Sequence, residues 1–169
     1  MAGFFEEGYY EEEDTQRGRF LVFSVDGSIY GLPIRFVTEI VGIQPATRVP
    51  GTPGYVKGII NLRGRIIPLI DVRLRFGKQE IPYNDRTCII VIDVDSVAVG
   101  LVVDKVSDVM TIGDGQIAPP PAGGALGSEN RYIEGIGKAG DMVLLLLDAE
   151  KLLRADEMEM IDGIASGNG

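Results

Sequence analysis

Residues 20–40 read FLVFSVDGSIYGLPIRFVTEI, and residues 89–109 read IIVIDVDSVAVGLVVDKVSDV. The two align without a gap at an offset of 69. Val25, Asp26, Gly31, Leu32 and Val37 recur as Val94, Asp95, Gly100, Leu101 and Val106, and Thr38, Glu39 and Ile40 recur in kind as Ser107, Asp108 and Val109. A second block, YVKGIINLRGRIIPLIDVRLRF at 55–76, aligns at an offset of 77 with the stretch from Tyr132 onward, pairing Tyr55/Tyr132, Gly58/Gly135, Ile59/Ile136 and Asp71/Asp148. Two blocks repeated in the same order indicate a duplication, which governs every later inference about the fold. The extra 8 residues of offset fall where QIAPPPAGGALGSENR lies. Its three consecutive prolines and Gly/Ala-rich continuation predict a surface loop rather than an element.

Within each copy the elements are short strands. FLVFSV ends at Asp26-Gly27, a strong hairpin pair, and SIYGLPI resumes the extended pattern up to Pro33, which marks an edge or strand end. FVTEIVGI, IIPLIDVRL, CIIVIDV, VAVGLVV and MVLLLLD supply further strands rich in Val, Ile and Leu. Helical spacing is confined to the end, where AEKLLRADEMEMID places Leu152, Leu153, Met160 and Ile161 on one short amphipathic stripe. The expected fold is all-β: two five-stranded β-barrel subdomains related by internal duplication, with a short C-terminal helix. About five strands per copy suit a small barrel and are too few for a broad sandwich. The expected division is a disordered acidic tail at 1–19, a first barrel over about 20–85, a second over about 86–153, and a helix and tail at 154–169. C-terminal strands crossing back to complete the first barrel would soften the boundary.

The formal charge of −9 over 169 residues is uneven: residues 1–19 carry −4 and residues 154–169 carry −3, leaving −2 for the body. A nearly balanced body with acidic ends does not suit a nucleic-acid or anionic-membrane binder, which needs a basic surface. Arg63, Arg65, Arg73 and Arg75 keep an RNA-binding barrel as the alternative, but no aromatics interleave with them as a base-stacking platform requires. Arg73 and Arg75 read more simply as the wet side of an alternating strand end. Enzymatic readings fail on chemistry. The chain has no histidine, no phosphate loop, no GxSxG elbow and no paired-cysteine metal spacing. Asp93 and Asp95 form turn chemistry rather than a cation site, because Asp95 aligns with Asp26. Cys88 begins CIIVI and reads as a small core residue; a lone cysteine gives no disulfide framework and suits a reducing compartment. No apolar stretch reaches the roughly 18 residues of a membrane span, and the acidic start is unlike a signal peptide. No cofactor or metal is expected, and the expected location is the cytoplasm.

The copies differ at one informative place. Asn61-Leu62-Arg63-Gly64-Arg65 in the first is answered by Lys138-Ala139-Gly140-Asp141-Met142 in the second, so Arg63 stands opposite Gly140. A residue needed to build either barrel should persist in both, which points Arg63 toward a role that one copy alone performs; the alternative reading is a solvated turn arginine beside a flexible glycine. Glu39 is its expected partner, in a bidentate pair.

NLRGRIIPLIDVRLRFG, preceded by GYVKGI, resembles the signature of the CheW-like domain of bacterial chemotaxis coupling proteins. FLVFSVDGSIYGLPIRFVTEIV and VAVGLVVDKVSDV resemble its other blocks, and the similarity runs from about Phe20 to Leu153. The resemblance implies two SH3-like barrels about a pseudo-twofold axis and a non-enzymatic adaptor. It implies as partners the histidine kinase CheA and the cytoplasmic tip of methyl-accepting chemoreceptors, hence a place in membrane receptor clusters without membrane insertion. Carried over by position, Glu39 and Arg63 are the charged pair beside a groove between the barrels. Val37, Ile40, Val103, Val106 and Val109 resemble groove positions that touch a receptor helix, and Lys57 and Gly58 its edge. The rival assignment for some of these valines is plain core. The kinase's regulatory domain is itself CheW-like and is expected to join end to end with this one, with no contacts assigned residue by residue. The chain has no room for the receiver domain that follows in CheV.

Overall fold

The computed structural model describes residues 16–121 and 131–153. Strands β1 (Arg19–Val25) and β2 (Ser28–Pro33) form a hairpin. A single 3-10 turn at Ile34–Phe36 then leads to β3 (Val37–Gly42). After β4 (Val56–Leu62) and β5 (Arg65–Asp71) comes a one-turn helix, α1 (Val72–Arg75). The second half repeats the series as β6 (Cys88–Val94), β7 (Val97–Val103), β8 (Lys105–Thr111), the short β9 (Ile117–Ala118), β10 (Ile133–Ala139), β11 (Met142–Leu147) and α2 (Ala149–Leu152).

The chain is all-β, in two sheets ordered β8-β1-β2-β11-β10-β9 and β3-β6-β7-β5-β4. Matching the repeats element by element, with β1 as β6, β2 as β7, β3 as β8, β4 as β10 and β5 as β11, turns one order into the other. Each sheet therefore joins a hairpin of one copy to a hairpin of the other, and the exchange across residue 86 is reciprocal. The join is parallel in both sheets, Leu69↔Gly100 in one and Leu146↔Gly31 in the other. Glycine recurs at these joins for a steric reason. A Cβ on Gly100 would lie 2.6 Å from Leu69 Cδ2, and one on Gly31 would lie 2.9 Å from Leu146 Cδ2.

Alternation along the strands divides the apolar residues among three cores. Phe20 and Val22 point into a small core inside the first sheet, with Ile112, Leu144 and Leu146. Ile89 and Val91 do the same inside the second, with Ile60, Leu62, Ile67 and Leu69. Leu21, Phe23, Val25, Ile90, Ile92 and Val94 meet between the sheets in the largest core, which α1 and α2 complete through Val72, Phe76, Ala149 and Leu152. An aromatic series crosses it, Phe23 to Tyr30 at 5.7 Å, Tyr30 to Phe76 at 5.3 Å and Phe76 to Tyr132 at 5.5 Å between ring centroids. Such offset contacts add stability beyond the area they bury.

Two expectations need correction. Arg73 and Arg75 are not the wet side of a strand; they lie in α1, 9% and 7% exposed. Asp71 ends β5 by capping that helix, its carboxylate accepting from Leu74 N at 3.2 Å, as Asp148 accepts from Lys151 N at 3.1 Å ahead of α2. The loop around 116–131 holds the two-residue strand β9, which pairs with β10. The C-terminal helix is one turn, Ala149–Leu152, within the described residues. The rest of that expected helix, with Met160 and Ile161, and the acidic segment at 1–15 lie outside them.

Candidate partner-docking face

β3 and β8 are equivalent strands, and among the described residues each is an edge of its sheet, bonded on one side only. Both carry a bulge at the same repeat position. The register slips between Val37 and Glu39 against β6, leaving Thr38 extra, and between Val106 and Asp108 against β1, leaving Ser107 extra. A bulged residue shifts the face on which later side chains emerge. Residues three apart then share a face, so Val37 is aligned with Ile40 and Val106 with Val109. Val37, Val106 and Val109 are half-buried against the margin of the inter-sheet core, and Ile40 is 43% exposed. Four aliphatic side chains are thus presented in two equivalent pairs. Val103 is not among them: at 1% exposure it belongs wholly to the core.

The bulge turns Glu39 away from that face, toward the mouth of its own barrel, where it forms an ion pair with Arg63. β3 and β4 are the two ends of their sheet. The pair therefore spans the barrel's seam. Arg63 and Gly64 form a two-residue hairpin loop between Leu62 and Arg65, with φ of +52° and +86°, as a type I′ turn requires, and Gly64 N donates to Asn61 Oδ1 at 2.8 Å. The matching loop of the second copy has Gly140 at φ +62°. Both copies need a left-handed residue at this point. One fills it with glycine, and the other places a long cation there against the preference of any L side chain.

Gly58 closes the barrel rather than facing outward. It has φ +131°, and a Cβ on it would sit 2.4 Å from Thr47 O. Thr47 crosses directly over it, exchanging backbone hydrogen bonds of 2.9 Å with Ile59. Gly135, its repeat, lies under β9 in the same way, with a Cβ 2.9 Å from Ile117 Cγ2. Lys57 is the extra residue of the β4 bulge and forms an ion pair with Glu80, tying the segment between the copies to the barrel wall. Tyr83 secures the same segment by donating to Asp71 Oδ2 at 2.7 Å. Burial, then that hydrogen bond, hold its hydroxyl well above the ordinary phenol range.

The arginines expected to offer a basic platform are committed elsewhere. Arg63 faces Glu39, Arg65 lies 3.9 Å from Asp93, and Arg73 binds Asp26 and Asp104 at 2.9 and 2.6 Å. Arg75 stacks between Tyr55 and Tyr132, 4.6 and 4.8 Å from the ring centroids, and donates to Leu152 O at 3.3 Å. Tyr55 and Tyr132 are repeat equivalents, as are positions 75 and 152, so Arg75 sits where the two copies meet. The repeat itself carried the missing signal: VRLRF aligns with AEKLL, and a helix in one copy implies a helix in the other. Among the described residues no group of acidic or cysteine side chains could hold a metal ion. Cys88 is half-buried, and burial pushes its thiol pKa up, away from the reactive thiolate. No helix among the described residues is long and apolar enough to cross a membrane.

The architecture is a duplicated, interlocked pair of β subdomains with aliphatic pairs at two equivalent sheet edges. The chain belongs to the CheW family: the model of the CheW-like domain matches residues 19–157. It is 39% identical to the chemotaxis protein CheW of Klebsiella aerogenes, over 92% of this chain and 93% of that one. It is 34% identical to that of Helicobacter pylori, over 88% and 89%. The solved structure of the scaffolding protein TtCheW from Thermoanaerobacter tengcongensis superposes with a TM-score of 0.75 at 34% identity, covering 83% of this chain and 94% of that one. The family is one of chemotaxis scaffolds, and the protein is not an enzyme.

Proposed function

We propose that this protein is the adaptor that couples chemoreceptors to the histidine kinase CheA in the cytoplasm. A helix of the receptor's cytoplasmic tip packs on the face formed by β3 and β8, and the kinase's CheW-like regulatory domain docks elsewhere. The observation that carries this reading is the paired presentation of Val37 with Ile40 and Val106 with Val109 on equivalent sheet edges. A helix laid in a groove needs aliphatic anchors rimmed by charge. Glu39 and Arg63 supply charge beside one edge. Arg63 also occupies a backbone conformation that disfavours it, which is the mark of a residue kept for function. Membership of a chemotaxis scaffold family supports the same partners.

The test is substitution of half-buried valines. Val37→Gln and Val106→Gln should each weaken binding to a soluble fragment carrying a chemoreceptor tip by about tenfold or more and abolish receptor-dependent stimulation of CheA. Their melting temperatures should stay within a few degrees of wild type. Wild-type stimulation by both variants, or collapse of both folds, would overturn the assignment.

A further inference from the structure

Arg73 is a near-buried cation at the junction of three elements. From α1 it reaches the carboxylate of Asp26, in the β1–β2 turn, through NH1 at 2.9 Å. It reaches that of Asp104, the residue between β7 and β8, through NH2 at 2.6 Å. The two aspartates are also linked directly, since the backbone N of Asp26 donates to Asp104 Oδ2 at 2.8 Å. Lys78 Nζ lies 3.9 Å from Asp26. Asp104 N in turn donates to Ser24 O at 3.1 Å, starting the ladder that β8 continues along β1. Asp104 is the point where the chain passes from one sheet to the other, and β8 follows at once with Val106 and Val109. The equivalent crossing in the other copy is built differently. Arg35 stands in the place of Asp104, stacked 4.7 Å over Phe36 in a 3-10 turn, and Glu150 in the place of Arg73. The Asp104 hydrogen bond raises the Arg73 pKa above its ordinary value against the burial that opposes it.

We propose that Arg73 is a positioning residue for the β8 half of the docking face, setting through Asp104 where the chain leaves β7 and so where Val106 and Val109 stand beside β1. The proposal rests on the docking role inferred above for those valines. A cation bonded to two carboxylates through a planar fork fixes distance and angle together, which a lysine cannot do. Among the described residues only one side of the pseudo-twofold molecule carries this device, so it would distinguish the β8 edge from the β3 edge although their valines correspond.

The experiment uses the whole chain, with Arg73→Gln, Arg73→Lys and the milder near-isosteric Asp104→Asn. Backbone amide resonances and affinity for a soluble receptor-tip fragment are measured for each. The expected result is displaced amide signals at Asp26 and over 105–109, unchanged signals over 37–42, and about tenfold weaker binding for Arg73→Gln and Asp104→Asn. Arg73→Lys should recover part of both effects. Unmoved signals over 105–109 in a folded Asp104→Asn protein would overturn the positioning role, as would displaced signals with unchanged affinity. Failure of the docking role itself is recognised separately, because Val37→Gln and Val106→Gln would then bind the fragment as tightly as wild type.

Discussion

Arg63 shows how one side chain can answer to two demands. Its turn needs a left-handed residue, and glycine meets that need in the second copy. Arg63→Gly should therefore melt at or above wild type, and about 2–4 °C above Arg63→Ala, which keeps the disfavoured φ and loses the Glu39 pair. Both variants should lose receptor-tip affinity to a similar extent. Thermal melts and titration calorimetry on the three proteins check this, and Gly and Ala variants that both melt well below wild type would show that the pair is chiefly structural. Glu134 makes a second residue-scale case. Although the side chain remains exposed, partial desolvation, followed by the nearby Asp148 charge, raises its pKa in the fold. A raised carboxylate contributes stability below its unfolded value and loses it as pH rises through the folded one. Glu134→Gln should accordingly be neutral or stabilising at pH 7 and lose that advantage by pH 4, as urea melts at the two pH values would record.

At the scale of elements, the bulges and the closing glycines form a single device used twice. Lys57 and Glu134 are the extra residues of equivalent bulges, each immediately before a glycine crossed by the segment that closes its barrel, an isolated bridge at Thr47 in one case and β9 in the other. The two crossings are unequally tight. Gly58 has a left-handed φ with carbonyl oxygen at 2.4 Å from the would-be Cβ, whereas the nearest atom over Gly135 is a side-chain methyl at 2.9 Å. Backbone cannot yield as a methyl can. Gly58→Ala should cost roughly 3 kcal/mol or more, and Gly135→Ala distinctly less, in denaturant melts. Equal losses would mean that the Thr47 segment gives way as readily as Ile117.

At the scale of the molecule, the interleaving of copies decides how the chain folds. Each sheet needs hairpins from both halves, and the inter-sheet core holds 20 buried residues among those described, against eight and five in the barrel cores. The greater part of the apolar burial that drives folding is therefore common to both subdomains. Fragments 16–86 and 87–153 should each lack fixed structure alone and regain native circular dichroism when mixed. The intact chain should unfold in one transition with matching calorimetric and van't Hoff enthalpies. A fragment that melts cooperatively by itself would show that one barrel is an independent unit.

The repeat, the hairpin at Asp26-Gly27 and the lack of histidine were all legible in the sequence, because each depends on neighbouring residues or on composition alone. So was the contrast of Arg63 with Gly140, which singled out a position without explaining it. The pairing partner of each hairpin was not legible, since two equivalent copies offer each strand two chemically similar mates and only packing of the shared core chooses between them. Nor were the places of Arg73 and Arg75, whose alternating spacing fits a strand until Asp71 caps a helix and tertiary partners 47, 31 and 77 residues away neutralise or cover them. The sharing of a face by residues three apart on β3 and β8 likewise arises from bulges, which exist only in the register between strands distant in the chain.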